Sequence, residues 1–188
     1  MFSLFSYDLY HANLNQDLNI INQYINKIKN KDQGRLFSNV GGWQSHDLIK
    51  DDSTIIKLVE SIEKHLNIFS KDFNIKKTFF VDNIWININN YKDSNERHFH
   101  PGSILSGVFY VKVPKDSGML KFYNPLGNII GPTLENKVDK WNEKNSVVML
   151  VKPKENNLFI FPSWLEHSVL PNLNKTEERI SFSFNAKI

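Results

Sequence analysis

The chain has no cysteine, so disulfides and thiolate metal ligands are excluded. It also lacks any run of 18 apolar residues, and no membrane-spanning helix is expected. The start, Met1-Phe2-Ser3-Leu4-Phe5-Ser6-Tyr7-Asp8, has neither the basic stretch nor the sustained apolar run of a signal peptide. A cytoplasmic protein with no membrane partner is the expectation. Excess charge is small, +3, and the lysines are scattered rather than gathered in a stripe with interleaved aromatics. Nucleic acid is therefore not an expected partner. There is no repeat, low-complexity stretch or linker that would divide the 188 residues, which suits a single domain, 1–188.

What is present is a core-forming composition: 40% hydrophobic and 13% aromatic residues. Phe2 to Tyr10 reads as a first edge strand. Asn13 or Asn15 can cap a helix to about Lys31, with Leu18, Ile21, Ile25 and Ile28 on one face. Ser53 can cap a second helix to about Phe69, its face made by Ile55, Val59, Ile62, Leu66 and Phe69. Between them Ser38-Asn39-Val40-Gly41-Gly42-Trp43-Gln44-Ser45 reads as a loop, either covering a site or merely packed.

From Thr78 the period changes to that of strands. Thr78–Val81 is β-rich, and Ile84, Ile86 and Ile88 then alternate with Trp85, Asn87 and Asn89, so a polar face can look into a cavity. Tyr91 to Glu96 reads as a polar turn. Further strands are expected over Leu105–Val113, Met119–Tyr123, Val147–Lys152, Leu158–Phe161, Ser168–Leu170 and Ile180–Phe184, with a long connection over Asn124–Ser146. The expected class is mainly β with flanking helices: residues 1–77 as helical support, and 78–188 as a double-sheet β core of the jelly-roll kind, which often holds a ligand between its sheets.

The chemistry concentrates in a few residues. His98 and His100 stand at i and i+2, so on an extended segment both rings leave the same face and can grip one metal ion. His167 follows a strand that ends at Pro162. Three neutral imidazoles could leave one face of an ion open; Glu96, at the other i, i+2 position, is an alternative third ligand to His100. Ligand histidines must be neutral, so metal affinity is expected to fall near the ordinary histidine pKa of ~6.5. The other histidines, His11, His46 and His65, have no recognisable partners and read as surface or boundary residues. Arg179 shares a strand face with Ser181 and Ser183, opposite Ile180, Phe182 and Phe184. A guanidinium there suits a carboxylate, with the Ser181 hydroxyl assisting.

Taken in order, Ser38–Ser45, Trp85-Ile86-Asn87, His98-Phe99-His100-Pro101, Ser106-Gly107-Val108-Phe109-Tyr110-Val111, Phe161-Pro162-Ser163-Trp164-Leu165-Glu166-His167 and Arg179-Ile180-Ser181-Phe182-Ser183-Phe184-Asn185 form a pattern. With it the chain resembles the 2-oxoglutarate/Fe(II)-dependent oxygenases, and within them a branch found in bacteria and phages. The resemblance implies a double-stranded β-helix core and an oxidation, hydroxylation in type, of an unidentified substrate. It implies Fe(II) at His98 and His167, with His100 where the wider superfamily has aspartate or glutamate. It further implies 2-oxoglutarate, its distal carboxylate meeting Arg179 and Tyr110. The expected partners are 2-oxoglutarate and the substrate, with a homodimer open. Two other readings stand beside this one. A cupin-type metal enzyme without 2-oxoglutarate shares the His-x-His start, although Gly102–Gly107 lacks the glutamate that cupins usually carry. A non-enzymatic jelly-roll module could grip a ligand with Trp43, Trp85 and Trp164.

Overall fold

The structure, a computed structural model, describes residues 7–188. Strand β1 (Tyr10–Asn13) leads into helix α1 (Leu18–Lys29). Most of the edge strand expected over Phe2–Tyr10 lies outside the described residues, and β1 begins at the last position of that range. The caps differ from expectation. Asn13 is still paired with Asn157 in the sheet, and Asn15 sits in a left-handed turn with φ of 49°. Asp17 caps α1 instead, accepting from the backbone N–H of Asn19 and Ile20. Helix α2 (Ser53–Phe69) is likewise capped one residue earlier than expected, by Asp52, which accepts from the Thr54 N–H. Between the helices, β2 (Asn39–Val40) and β3 (Trp43–Gln44) flank a turn at Gly41-Gly42.

The chain then runs through β4 (Phe80–Asn89), β5 (Ser94–His98), β6 (Leu105–Lys112), β7 (Leu120–Tyr123), α3 (Gly127–Leu134), β8 (Val148–Val151), β9 (Asn157–Pro162), β10 (His167–Val169) and β11 (Arg179–Lys187). Two expectations are corrected here. Ser94–His98 is a strand rather than the tail of a turn, and the long 124–146 connection holds α3.

The strands form two antiparallel sheets. One has six strands, ordered β1-β9-β6-β11-β4-β3; the other has five, ordered β2-β5-β10-β7-β8. This is the double-sheet jelly-roll plan. Strand alternation sorts the large sheet into two faces. Ile84, Ile86, Ile88, Phe109, Val111, Ile160, Ile180, Phe182 and Phe184 join one buried cluster with Ile21, Ile25, Ile55, Ile62 and Leu66 of the two helices. The helices thus cover the outer face. Burying each such side chain contributes roughly 1.5–3 kcal/mol. The inner face, which carries Trp85, Asn87, Asn89, Val108, Tyr110, Arg179, Ser181 and Ser183, looks toward the five-stranded sheet. A second cluster, of Val108, Tyr110, Leu120, Phe122, Phe159 and Phe161, joins the two sheets there. Among the described residues no helix is long and apolar enough to cross a membrane.

Candidate active site

Neighbouring strands of the small sheet bring the histidines together. His98 closes β5 and His167 opens β10, and the two are register partners. His100 lies just past β5, held by its N–H donating to the Ser163 carbonyl at 2.9 Å. His98 Nδ1 is 2.6 Å from the Glu96 carbonyl, and His167 Nδ1 is 2.9 Å from that of Leu165. A carbonyl can only accept, so both Nδ1 atoms carry the proton and both Nε2 atoms present lone pairs. His100 Nε2 lies 3.3 Å from His167 Nε2, and one ligand nitrogen from each of the three rings falls within 4.8 Å of the others. Two bonds of ~2.1 Å at about a right angle would put their donors ~3 Å apart, so the trio fits one ion. The carboxylate of Glu96 is not in this group; Glu96 is exposed, and its backbone rather than its side chain serves the site.

Burial governs the protonation of all three rings. Desolvation lowers the pKa of His98. The same effect, reinforced by neighbouring His98, takes His100 down to about 4 and His167 to about 3. Burial thus favours neutral imidazole below the ordinary ~6.5 in all three rings, furthest in His100 and His167.

Deeper in, the inner face of the large sheet forms the wall of a narrow cleft. Its side chains come in rows set by strand register. Asn89 faces Arg179, Asn87 faces Ser181 and then Tyr110, and Trp85 faces Ser183 and then Val108. The Trp85 row is nearest the histidines, with 5.9 Å between the Trp85 and His100 rings. The Arg179 row is the far end. Arg179 is 1% exposed. Its Nη1 donates to the carbonyls of Ser117 and of Leu170, the latter at 2.9 Å, while Nη2 is buried with no partner. Burial pulls its pKa down, opposed by Tyr110 and Asp93. The Tyr110 hydroxyl is also buried and unpartnered, and desolvation pushes its pKa up to about 12. Buried polar atoms are normally satisfied. Of the five among the described residues that are not, those of Asn87, Tyr110 and Arg179 belong to residues lining this one cleft.

The structure therefore gathers His98, His100, His167, Tyr110, Arg179 and Ser181 around one cleft and leaves the other histidines out. His65 bonds the Tyr10 hydroxyl, His11 stacks on Phe159, and His46 pairs with Asp32. Of the tryptophans proposed to grip a ligand, Trp85 lines the cleft; Trp43 and Trp164 do not. Asn95, Leu120 and Val169 also line it. They come from the small sheet, and no sequence signal marks them. The Ser38–Ser45 segment contributes Ser38 to the lining.

The family described as "Putative 2OG-Fe(II) oxygenase" matches residues 83–185, which carry every one of the gathered residues. No curated protein matches the chain. Among solved structures, a Pseudomonas putida prolyl-4-hydroxylase is similar at 12% identity and a TM-score of 0.66, covering 97% of this chain and 94% of its own. A viral collagen prolyl hydroxylase from Paramecium Bursaria Chlorella virus-1, in its 2-oxoglutarate complex, gives 13% identity and a TM-score of 0.60, with 95% and 94% covered. HygX from Streptomyces hygroscopicus, with nickel and 2-oxoglutarate bound, gives 7% and 0.62, with 95% and 82% covered. These likenesses establish the shared fold. The family match spans more than half the chain and sets aside the cupin-type and non-enzymatic readings. A jelly-roll cleft with a histidine trio at its mouth and a buried guanidinium at its end is thus what the matched segment builds, and the chain belongs to the 2-oxoglutarate/Fe(II)-dependent oxygenases, oxidoreductases that use Fe(II) and 2-oxoglutarate.

Proposed function

We propose that His98, His100 and His167 hold the iron, and that Arg179 and Tyr110, assisted by Ser181, hold the distal carboxylate of 2-oxoglutarate. The observation that carries this reading is the pairing, within one cleft, of three converging imidazole nitrogens with a buried guanidinium whose Nη2 has no partner. The donors also fit the groups. The imidazoles are neutral, as metal ligation requires, and the unpartnered Nη2 and phenol O–H can each donate to an anion. When bound, iron and 2-oxoglutarate supply oxidation of a substrate coupled to decarboxylation of the 2-oxo acid.

The chain's own part is orientation, electrostatics and exclusion of water. The Glu96 and Leu165 carbonyls set the tautomers of His98 and His167, so the ring nitrogens facing the cleft stay unprotonated. Ser117 and Leu170 fix the guanidinium fork from behind. Leu120, Phe161 and Val169 line the space between, which strengthens each charge-assisted hydrogen bond made there. Residues 1–77 act in this reading as support for the 78–188 core, because the helices and the outer face of the large sheet share one cluster.

The test is metal retention. The unaltered protein should bind one equivalent of Fe(II) and convert 2-oxoglutarate to succinate. His98→Ala and His167→Ala should each lose the metal while remaining folded by circular dichroism. Full retention of iron by both variants would refute the ligand assignment.

A further inference from the structure

Two of the five unpartnered buried atoms lie outside the cleft: Nε of Arg35 and Oδ1 of Asn83. Both residues line a second hollow, which shares Ser38, Trp85, His98 and His100 with the cleft. The inner face of β4 carries, in order, Asn89, Asn87, Trp85 and Asn83. Asn83 is therefore one step beyond the row nearest the histidines, and the hollow adjoins the metal end rather than the Arg179 end.

One carboxylate holds both groups. Arg35 Nη2 donates to Asp47 Oδ1, and Asn83 Nδ2 donates to Asp47 Oδ2 at 3.4 Å. A carboxylate only accepts, so the amide of Asn83 keeps its nitrogen on Asp47 and its Oδ1 free. The guanidinium also lies over the rings of Phe37, at 4.9 Å, and Trp85, at 5.9 Å. The result is a positioned donor, Nε–H, and a positioned acceptor, Oδ1, tied to the same side chain and both without a partner. Arg35 and Asp47 lie outside the family-matched residues 83–185.

Charge narrows the ligand. Arg35 is paired with Asp47, and Arg97, at the rim, with Glu166. Glu96, also in the lining, has no ion pair among the described residues. The hollow thus offers no free cation to a phosphate or a carboxylate, and it suits a neutral group. That group must accept from Nε–H and donate to Oδ1. A carboxamide does so, because its C=O and one N–H leave the same side of one plane. Phe37 and Phe99, 73% and 50% exposed, offer apolar surface to the rest of the molecule. Resting on the reading of the histidines as the iron site, we infer that this hollow binds the primary substrate, an uncharged molecule bearing a carboxamide that Arg35 and Asn83 hold, with Asp47 positioning both.

Phenylacetamide, which joins a carboxamide to an apolar ring, is the probe. It is titrated into the isotope-labelled full chain, with Zn(II) in place of iron and again without metal, and followed by NMR at the Arg35 Nε–H. Phenylacetamide should shift that resonance saturably, whereas phenylacetate and uridine should not. Arg35→Lys keeps a cation for Asp47 and removes Nε–H; Asn83→Ala removes the acceptor. Each should weaken phenylacetamide about tenfold or more, read at the Trp85 indole N–H, as for loss of one hydrogen bond to a charged group or of the bond that completes the pair. Should Asn83→Ala fail to fold, Arg35→Lys and the ligand series on the unaltered chain decide. An unmoved Arg35 resonance, equal binding of phenylacetate, or unchanged affinity in Arg35→Lys overturns the inference. So does a response to uridine alone, which would give the hollow to a nucleobase. The titration without metal keeps a failure here distinct from a failure of the histidines to bind metal.

Discussion

Acidifying the metal-free protein from pH 7 to pH 5 should destabilise it without first stripping its capacity to bind metal. His100 and His167 have folded-state pKa values of about 4 and about 3, below the ordinary 6.5, because burial disfavours their charged forms. The unfolded chain takes up protons below pH 6.5 that the folded chain refuses, so stability falls as pH drops through that value and continues to fall toward the folded pKa values. At pH 5 each group costs about 2 kcal/mol, together about 4 kcal/mol, at 1.36 kcal/mol per pH unit. His98 adds to this in the same direction. Above pH 6.5 the three contribute no slope. Metal affinity follows different arithmetic. Three ordinary histidines would each be protonated about tenfold over neutral at pH 5.5, and affinity would drop about a thousandfold from its value at pH 8. With the buried values, the drop from pH 8 to 5.5 should be less than about tenfold. Urea unfolding of the metal-free protein at pH 7, 6 and 5, and calorimetric metal titration at pH 8, 7, 6 and 5.5, check the two halves. A thousandfold fall in affinity by pH 5.5, with stability flat from pH 7 to 5, would refute the reasoning from burial.

Four further outcomes are expected. Arg179→Met keeps much of the stem and removes the fork; 2-oxoglutarate should bind ten- to a hundredfold more weakly or worse, for loss of ~1.5–3 kcal/mol, with metal affinity unchanged. Tyr110→Phe removes a buried hydroxyl that has no partner in the free protein; thermal stability should hold or rise slightly while 2-oxoglutarate affinity falls, and a large loss of stability would show that the hydroxyl has another partner. His100→Asp should retain iron, as measured by metal analysis, if the position is a ligand slot that accepts a carboxylate. The fragment 78–188 should fail to fold alone, since it bares the face that Ile55, Ile62 and Leu66 cover; a cooperative melting transition in that fragment would contradict the supporting role of residues 1–77.

How far the sequence could be read depended on whether a signal was local. Arg179 to Phe184 alternates strictly, and that parity alone places Arg179, Ser181 and Ser183 in the cleft and Ile180, Phe182 and Phe184 in the core. The faces of α1 and α2 were equally legible from their 3.6-residue period. Strand β5 was not, because Ser94-Asn95-Glu96-Arg97-His98 has no apolar alternation; it is a strand by virtue of its partners, β2 and β10. Helix α3 was hidden by Pro132 and two glycines within eight residues. Both helix caps were misplaced because Asp17 and Asp52 lie close to other good capping residues, and only the backbone decides among them. His98, His100 and His167 were visible as residue types, but their depressed pKa values come from walls supplied by the opposite sheet, which no local pattern encodes.

The Asn39–Gln44 segment, two short strands around a turn, has a mechanical consequence. Its first strand is stitched to β5 of the small sheet and its second to β4 of the large one, so six residues span both layers. Its two glycines have φ near +70°, and a Cβ at Gly42 would lie 2.6 Å from the Ile88 carbonyl oxygen. The turn cannot take a side chain at either glycine without strain. The double layer is therefore pinned along this side, while β8 is the edge strand at the other end of the small sheet, where Met149 and Leu150 are exposed. Any breathing that admits or releases ligands should be least at the pinned side and greatest along that exposed edge strand. Amide hydrogen exchange would then be slow at Trp43 and Gln44 and fast along Val148–Val151, with the gradient flattening once the cleft is filled.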